Sequence, residues 1–320
     1  MRRSFPVLIF FLAALFAARS AAKDPLSALF AAESKESRSI GGPLDGSLER
    51  SIAFPDQGPG FRKTTRRPEA RYGTVEAVRG VVRAAMKVDE LHPGGELLVN
   101  DLSLERGGPI NRHESHRAGR DVDVLFYLLD AEGKPTRSVA AILDPAGEGV
   151  DFRDPADPSD DFPVRLDVAR TFRFLEALAL DEEARLQRVF IAEHLRKLIL
   201  AYGERDGGDK KALSRLDMMM CQPGTPHDDH LHLRFFCSAD DLREGCEDAA
   251  PIYPYQRAYL RALGLKPKIN RPRPDRPRSR TVSVEEARAA AGPLHKDVIS
   301  FLERRNEWIH PPKTGRPYCR

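Results

Sequence analysis

The chain has 320 residues, with 51 lysines and arginines against 48 aspartates and glutamates. The first 22 residues hold three of the arginines and no acid, so the remaining chain carries 48 residues of each sign. This balance excludes the global positive field on which general nucleic-acid binding depends. About 300 residues are enough to bury the core of one large domain with appendages.

Residues 1–22 have the pattern of a secretory signal peptide. Arg2 and Arg3 precede an apolar stretch at 5–16, and small residues at 20–22 offer a cleavage site. The apolar stretch is shorter than the ~20 residues that a spanning helix needs. We therefore expect an exported protein with no integral membrane segment after cleavage. The alternative is an uncleaved membrane anchor.

The elements expected in the first half of the chain follow from its periodicity. Residues 23–70 are rich in Ser, Gly, Pro and Arg and lack a sustained repeat, which predicts an extended or partly ordered N-terminal arm. Thr74 is the expected cap of a helix over 75–91, where apolar side chains recur at helical spacing. Residues 96–103 and 121–129 are expected to be strands, joined by a polar loop that contains glycine.

Helices and strands are also interspersed in the second half. Residues 145–163 are acidic and contain prolines, which predicts a surface loop. The pattern favours helices at 166–180 and at 195–202, the second ending at Gly203, and strands at 188–192 and 230–236. Neither glycine-rich phosphate-binding motif occurs.

The composition changes after residue 265. The stretch from Lys266 to Arg280 holds seven basic residues and one acid, and its prolines disfavour helix and central strand. It is either a solvated linker or an electrostatic tether to an anionic envelope polymer. A capping box that begins at Ser283 predicts a C-terminal helix, interrupted at Pro293 and resumed as far as Trp308.

All four cysteines lie in the last third of the chain. In an exported protein an even number of cysteines suggests disulfides, here two, and three pairings are open. We favour a short local loop between Cys237 and Cys246, which leaves Cys221 to pair with Cys319. A zinc site of four cysteines is disfavoured, because the chain has no C-x-x-C pair.

Five of the nine histidines fall in two tight clusters, at 113–116 and 227–232. On a strand, His230 and His232 share one face, because side chains alternate. Asp121 and Asp123 share a face for the same reason, and Gly119 permits a turn that returns His116 towards them.

These segments supply imidazole nitrogens and carboxylate oxygens for a metal. A catalytic zinc needs three protein ligands and an open position for water, and His116, Asp123 and His232 meet that need. His230 would then lie beside the activated water, where it could carry protons or stabilise an oxyanion. The alternative is a surface patch of histidines with incidental acids.

At these residues the chain resembles the penicillin-insensitive murein endopeptidases. Residues 115–123 read SHRAGRDVD and match the family pattern S-H-x-x-G-x-D-V-D, and residues 227–232 read HDDHLH and match H-D-x-H-x-H. The resemblance covers roughly residues 70–250. It extends to a wider group of zinc peptidases that includes D-alanyl-D-alanine dipeptidases and carboxypeptidases, and the hedgehog signalling domain shares their fold.

The resemblance implies an α+β fold, in which a small antiparallel sheet flanked by helices carries one zinc ion. It implies His116, Asp123 and His232 as metal ligands, His230 and His227 as catalytic histidines, and His113 as a residue near the site. The implied substrate is the cross-link between D-alanine and meso-diaminopimelate in peptidoglycan, cut through a metal-activated water. The implied location is the periplasm or the cell envelope.

Several alternatives remain at this stage. A D,D-carboxypeptidase or dipeptidase would use the same ligands, and a non-catalytic cell-wall-binding protein would keep them without hydrolysis. Asp121 could orient a histidine or bond to loop backbone. Arg234, on the face of His230 and His232, could pair with a substrate carboxylate or form a structural ion pair. The domain boundaries expected are 1–22 for the signal, 23–70 for the arm, 71–265 for the peptidase and 266–320 for the extension.

Overall fold

A computed structural model of the chain describes residues 25–138, 141–271, 284–309 and 319. The predicted signal peptide, most of the basic stretch at 266–280 and the predicted cap at Ser283 lie outside the described residues. Among the described helices, none combines the length and the apolar character needed to cross a membrane.

The described residues form nine α-helices: α1 (Pro25–Ala31), α2 (Val75–Leu91), α3 (Val168–Leu180), α4 (Glu193–Arg205), α5 (Lys210–Met219), α6 (Ala239–Arg243), α7 (Pro254–Ala262), α8 (Val284–Ala291) and α9 (Lys296–Trp308). The strands of the same residues are β1 (Arg38–Ile40), β2 (Ser47–Glu49), β3 (Ile52–Ala53), β4 (Gln57–Gly58), β5 (Phe61–Lys63), β6 (Tyr72–Gly73), β7 (Leu97–Val99), β8 (Asp121–Leu125), β9 (Leu128–Leu129), β10 (Pro135–Thr136), β11 (Ile142–Leu143), β12 (Glu148–Asp151), β13 (Phe162–Leu166), β14 (Leu186–Phe190), β15 (Met220–Cys221) and β16 (His230–Phe235).

Two sheets carry most of the architecture. The larger has seven strands in the order β15-β14-β16-β8-β7-β5-β4, and the smaller has five antiparallel strands in the order β10-β9-β13-β12-β11. Strands β8 and β16 pair antiparallel at the centre of the larger sheet, whereas β14–β15 and β5–β7 pair parallel. The predicted α+β class is confirmed, with a larger sheet that is mixed rather than wholly antiparallel.

Helix α2 forms as its sequence predicts. The Thr74 side chain accepts a hydrogen bond from the backbone N–H of Ala77, which satisfies one of the free donors at the helix start. The valines at 78, 81 and 82 recur at helical spacing and are fully buried. This face packs against α3, so the helix is held by its apolar side.

The segment expected as an N-terminal arm contributes to the larger sheet. Strand β5 pairs parallel with β7, and Phe61 is fully buried against Phe54 with ring centroids 5.4 Å apart. Strands of two or three residues separated by glycine and proline are too short to show a period. That is why the sequence pattern predicted no regular structure here.

The expected acidic loop at 145–163 also contains strands. Strand β12 and the start of β13 pair antiparallel in the smaller sheet. The predicted strand at 121–129 is divided, because β8 ends at Leu125 in one sheet and β9 begins at Leu128 in the other.

Gly203 has a different role from the predicted helix end. Helix α4 continues past it to Arg205, and a Cβ at this glycine would lie 2.1 Å from the Phe172 ring. The glycine therefore permits close packing of α4 on α3.

Helix α5 was not predicted from the periodicity of the sequence. Its first turn is capped by the Asp209 carboxylate, which accepts hydrogen bonds from two backbone N–H groups.

Both expected disulfides are present, Cys237–Cys246 and Cys221–Cys319. The second brings the C-terminal end of the chain to β15, where the Cys319 N–H donates to the Gln222 carbonyl at 2.9 Å.

The predicted C-terminal helical stretch is confirmed as α8 and α9, which are separated at Pro293. The beginning of the basic stretch is attached to the domain, since the Asn270 N–H donates to the Asp248 carbonyl.

Candidate metal centre

Strands β8 and β16 bring the predicted ligands together. In their antiparallel register His232 lies opposite Asp123, and Arg234 lies opposite Asp121. Side chains of directly opposed residues project from the same face of a sheet. The pairing therefore places all four side chains on one face, although the two segments are more than a hundred residues apart in the chain.

His116 reaches this face from the preceding loop. Its side chain is buried, and its Nδ1 donates to the Leu102 carbonyl at 2.9 Å, because a carbonyl can only accept. Its Nε2 then faces Asp123 Oδ1 at 3.3 Å. The loop needs left-handed backbone at His116 (φ 63°) and at Gly119 (φ 73°). The structure thus shows a turn at Gly119 between His116 and the strand.

Asp121 orients the histidine of the other strand. Its Oδ1 lies 3.1 Å from His232 Nε2 and accepts from Arg234 Nε at 2.6 Å. His232 Nδ1 is then directed to Asp123 Oδ1, 3.4 Å away. A carboxylate on the outer nitrogen of a ligand histidine fixes the tautomer and the ring plane.

His113 approaches the same carboxylate from the other side. Its Nε2 lies 2.9 Å from Asp101 Oδ2, and its Nδ1 lies 3.7 Å from Asp123 Oδ2. The potential ligand atoms of His113, His116 and Asp123 all lie within 4.8 Å of one another. The structure therefore offers His113 as well as His232 as a third donor beside His116 and Asp123.

The donor atoms suit a zinc ion. His116 Nε2 and Asp123 Oδ1 are buried, and among the described residues neither has a hydrogen-bond partner of acceptable geometry. Burial of such atoms is costly unless something binds them. Neighbouring ligand atoms around tetrahedral zinc, with bonds of about 2.0 Å, are about 3.3 Å apart. The distances of 3.3 and 3.4 Å from Asp123 Oδ1 to the two histidines match that spacing.

Two further histidines border the donors. His230 Nδ1 lies 2.7 Å from Asp229 Oδ1, and its Nε2 lies 3.7 Å from Asp123 Oδ1. His227 has left-handed backbone (φ 55°), and its Nδ1 donates to the Thr225 carbonyl at 2.7 Å. The centroids of the two rings are 4.8 Å apart. Both predicted catalytic histidines therefore lie beside the predicted ligands.

Charge and burial divide the histidines of this site. Burial alone would lower the pKa of His230, but the carboxylates of Asp229 and Asp123 outweigh it and raise that pKa to about 9. Burial, followed by the neighbouring His230 and His232, lowers the pKa of His227 to about 3. Burial also lowers the pKa of His232 to about 4, although Asp123 and Asp121 oppose the shift. Neighbouring carboxylates thus favour the protonated form of His230, whereas burial favours the neutral forms of His227 and His232.

An open cleft of about 520 Å³ reaches His113, Asp123 and His230. Its lining residues are Arg66, Arg67, Asn100, Asp101, Arg112, His113, Asp123, Leu125, Asp229 and His230. The Phe190 ring packs edge-on against His232, with centroids 4.9 Å apart. Asp101, Phe190 and the three arginines were not expected at the site from the sequence. The sequence did show Asp101 as an acidic residue near the end of the predicted strand at 96–103. Only the fold, however, brings this residue to His113.

Known proteins resemble the chain across this region. A family model described as penicillin-insensitive murein endopeptidase matches residues 39–259. The penicillin-insensitive murein endopeptidase of Escherichia coli O157:H7 (strain EC4115 / EHEC) is 25% identical over 218 residues, which cover 68% of this chain and 72% of that protein. Proteins of the same name from Escherichia coli O1:K1 / APEC and Shigella boydii serotype 18 (strain CDC 3083-94 / BS512) are each 25% identical over 244 residues, or 76% of this chain and 81% of theirs. Because the model match spans more than half of the chain and includes both histidine clusters, the chain belongs to the penicillin-insensitive murein endopeptidase family.

Proposed function

We propose that the chain is a zinc metallopeptidase that hydrolyses D-alanyl-meso-diaminopimelyl cross-links in peptidoglycan. The observation that carries the proposal is the pair of buried atoms His116 Nε2 and Asp123 Oδ1, which lie 3.3 Å apart and lack hydrogen-bond partners among the described residues, with Asp123 lining an open cleft. The names of the relatives support the substrate. The sequence of residues 1–22 and the two disulfides support a periplasmic or envelope location.

His116, Asp123 and His232 would hold the zinc, with His113 as the alternative third ligand. Bound there, zinc supplies a Lewis acid that polarises a carbonyl and lowers the pKa of a water to about 7. Asp121 and Asp101 keep the rings of His232 and His113 aimed at the centre through their outer nitrogens. Arg234 neutralises Asp121, which favours a structural role for this arginine over contact with substrate.

His230 is the proposed proton carrier. Its Nδ1 is held by Asp229, so its Nε2 remains directed into the cleft, where it can donate to an oxyanion or to a leaving amine. His227 lies next to it, and the hydrogen bond to Thr225 leaves its Nε2 with a lone pair that can accept a proton. The two histidines thus offer a donor and an acceptor on one side of the metal ligands.

Three arginines offer contacts for a peptide carboxylate in the cleft, whose lining also holds Asp101, Asp123 and Asp229. The side chains of Arg66, Arg67 and Arg112 line it together with His113. Arg67 also donates to Asp101 Oδ2 at 2.9 Å, which fixes its guanidinium at the edge of the cleft. Arginines recognise carboxylates through paired hydrogen bonds, and peptidoglycan stem peptides end in carboxylates.

The decisive experiment digests purified, cross-linked, diaminopimelate-type peptidoglycan with the mature protein and resolves the products by mass spectrometry. We expect loss of dimeric muropeptides, arrest of that loss by a chelator, and recovery when zinc is added. Trimmed monomers with intact dimers would contradict the proposal and indicate a carboxypeptidase. Bound but uncut peptidoglycan would indicate a non-catalytic cell-wall-binding protein.

Ligand identity is tested by zinc content. We expect His232→Ala to lose bound zinc and hydrolysis together, because it removes a nitrogen 3.4 Å from Asp123 Oδ1. His113→Ala should keep its zinc if His113 only borders the site. The matched control is His92→Ala at the end of α2, with zinc content and activity as in the native chain. If His232→Ala retained zinc and His113→Ala lost it, His113 would be the third ligand and His232 would only border the site.

A further inference from the structure

The C-terminal helix α9 contacts the second histidine cluster directly. Arg305 Nε donates to Asp228 Oδ2 at 2.9 Å, and Arg305 Nη2 donates to Asp228 Oδ1 at 2.6 Å. Two parallel bonds between a guanidinium and a carboxylate fix orientation as well as distance. The Asp228 side chain is fully buried, so its charge is compensated inside the protein by a residue 77 positions away.

Asp228 lies between the two proposed catalytic histidine positions. His227 precedes it in left-handed backbone, and Asp229, which follows it, holds His230 Nδ1. Backbone bonds hold the same loop from outside, since the His227 carbonyl accepts from the Ala192 N–H and the Asp228 carbonyl accepts from the Leu143 N–H. A residue other than glycine keeps such a backbone only when its surroundings over-determine it.

Helix α9 is itself firmly placed. Its Phe301 is buried and packs edge-on against Phe152, with centroids 5.6 Å apart. At its start the His295 N–H donates to the Pro155 carbonyl at 2.8 Å. Beyond its end, the Cys221–Cys319 disulfide ties the chain to β15. The guanidinium is therefore presented to Asp228 from a fixed support.

We propose that Arg305 is a positioning residue for the histidine loop 227–230, and that the C-terminal extension completes the active site. This proposal rests on the proposed function for its kinetic consequence. Helix α9 lies outside the residues matched by the family model, which end at 259. Without the guanidinium, the buried Asp228 carboxylate has lost its counter-charge and must move, which shifts the backbone of His227 and Asp229.

The test compares three variants of the full mature chain. Arg305→Met should lower kcat for cross-link hydrolysis by about 10–100-fold, because a displacement of about 1 Å in the catalytic groups can cost about 100-fold, with KM within about threefold. Arg305→Lys should recover part of the lost kcat, because it restores the positive charge but not the two paired hydrogen bonds of the guanidinium. The matched control, Arg304→Met, changes the exposed neighbour on the same helix and should behave as the native chain.

A second readout does not depend on activity. We expect the ring signals of His227 and His230 in nuclear magnetic resonance spectra of zinc-free protein to shift in Arg305→Met and to stay unchanged in Arg304→Met. Trp308, the only tryptophan of the chain, lies in α9, and its unchanged fluorescence would show that the helix remains docked. The double variant Asp228→Asn with Arg305→Met should regain part of kcat, because no unpaired charge remains buried.

The outcomes separate the two proposals. Native kcat together with native histidine signals in Arg305→Met overturns the positioning role. If the native chain hydrolyses no cross-link, the proposed function fails, and the histidine signals alone decide the positioning role. If Arg305→Met does not fold, the histidine ring signals of Arg305→Lys are compared with those of Arg304→Met. Identical signals in these two variants would reject the proposal.

Discussion

The ring nitrogens of the clustered histidines are divided between two kinds of partner. In His116, His232 and His113 one nitrogen is held by a carbonyl or carboxylate of the protein, and the other faces Asp123. His230 has the same arrangement at the edge of the cleft, since its held nitrogen faces Asp229 and its other nitrogen lies 3.7 Å from Asp123 Oδ1. These hydrogen bonds choose the tautomer of each ring, so that the same residue type can serve both as a proposed metal ligand and as the proposed proton carrier.

Buried charge away from the site also has consequences, as Glu76 shows. This residue is 7% exposed at the start of α2, where its carboxylate accepts from the Ser34 hydroxyl. Burial raises the pKa of Glu76 to about 7. The folded state therefore binds the proton more tightly than the unfolded state. The contribution to the free energy of unfolding is complete below about pH 4.5 and is lost as the pH rises through about 7.

We predict that Glu76→Gln removes this pH dependence. At pH 8 the variant should have a free energy of unfolding higher than the native chain by about 1–3 kcal/mol, because no charge is buried, with little difference at pH 4. Urea unfolding across this range measures the difference. Glu90→Gln, at an exposed position of the same helix, is the control and should follow the native curve. A difference that is the same at every pH would contradict the prediction.

Among the elements, strands β8 and β16 determine the site through their register. A slip of one residue would place His232 opposite an apolar valine instead of Asp123 and would turn its ring to the other face of the sheet. The neighbouring strands stabilise this register from both sides, β14 next to β16 and β7 next to β8. The proposed metal centre thus depends on strands that contribute none of the proposed ligands.

Strand β5 shows that the N-terminal segment supports the same sheet. We predict that Phe61→Ala lowers the free energy of unfolding by about 3–5 kcal/mol, since it leaves a cavity in the core. The control Phe30→Ala removes a ring that is 40% exposed in the same segment, and its effect should stay within about 0.5 kcal/mol. Chemical unfolding measures both. Equal effects of the two substitutions would show that the segment is a detached arm.

Across the whole molecule, charge is balanced in number but not in distribution. The stretch from Lys266 to Arg280 holds seven basic residues, while the chain after residue 22 is formally neutral. The described part of this stretch is attached to the domain through Asn270, which donates to Asp45 and Glu247. We propose that the remainder contacts an anionic envelope polymer, because local charge attracts polyanions even on a neutral protein.

We predict that changing Arg273, Arg276, Arg278 and Arg280 to serine weakens retention on an anionic polymer at low salt. The contacts are electrostatic, so native retention should itself decline as the ionic strength rises above about 0.15 M. Column retention over a salt series measures both effects. Hydrolysis of small soluble muropeptides should be unchanged, which separates the tether from the active site. Equal retention of the two proteins at low salt would reject the tether.

Much of the site could be predicted from the sequence because its determinants are local. The alternation of side chains along one strand places His230 with His232 and Asp121 with Asp123 without knowledge of the fold. Cysteine spacing favoured the disulfide pairing that the structure shows. Helix α2 was predicted because its period and its cap lie within one segment.

Which distant groups meet these local patterns depends on the packing of the fold. The β8–β16 register brings His232 to Asp123, the end of β7 brings Asp101 to His113, and α9 brings Arg305 to Asp228. Each partnership joins segments whose own periodicity carries no information about the other, since it results from the packing of the whole core. Local sequence therefore specifies which chemical groups the site contains, whereas the fold selects the partners of those groups, because side-chain alternation is local and pairing between distant segments is not.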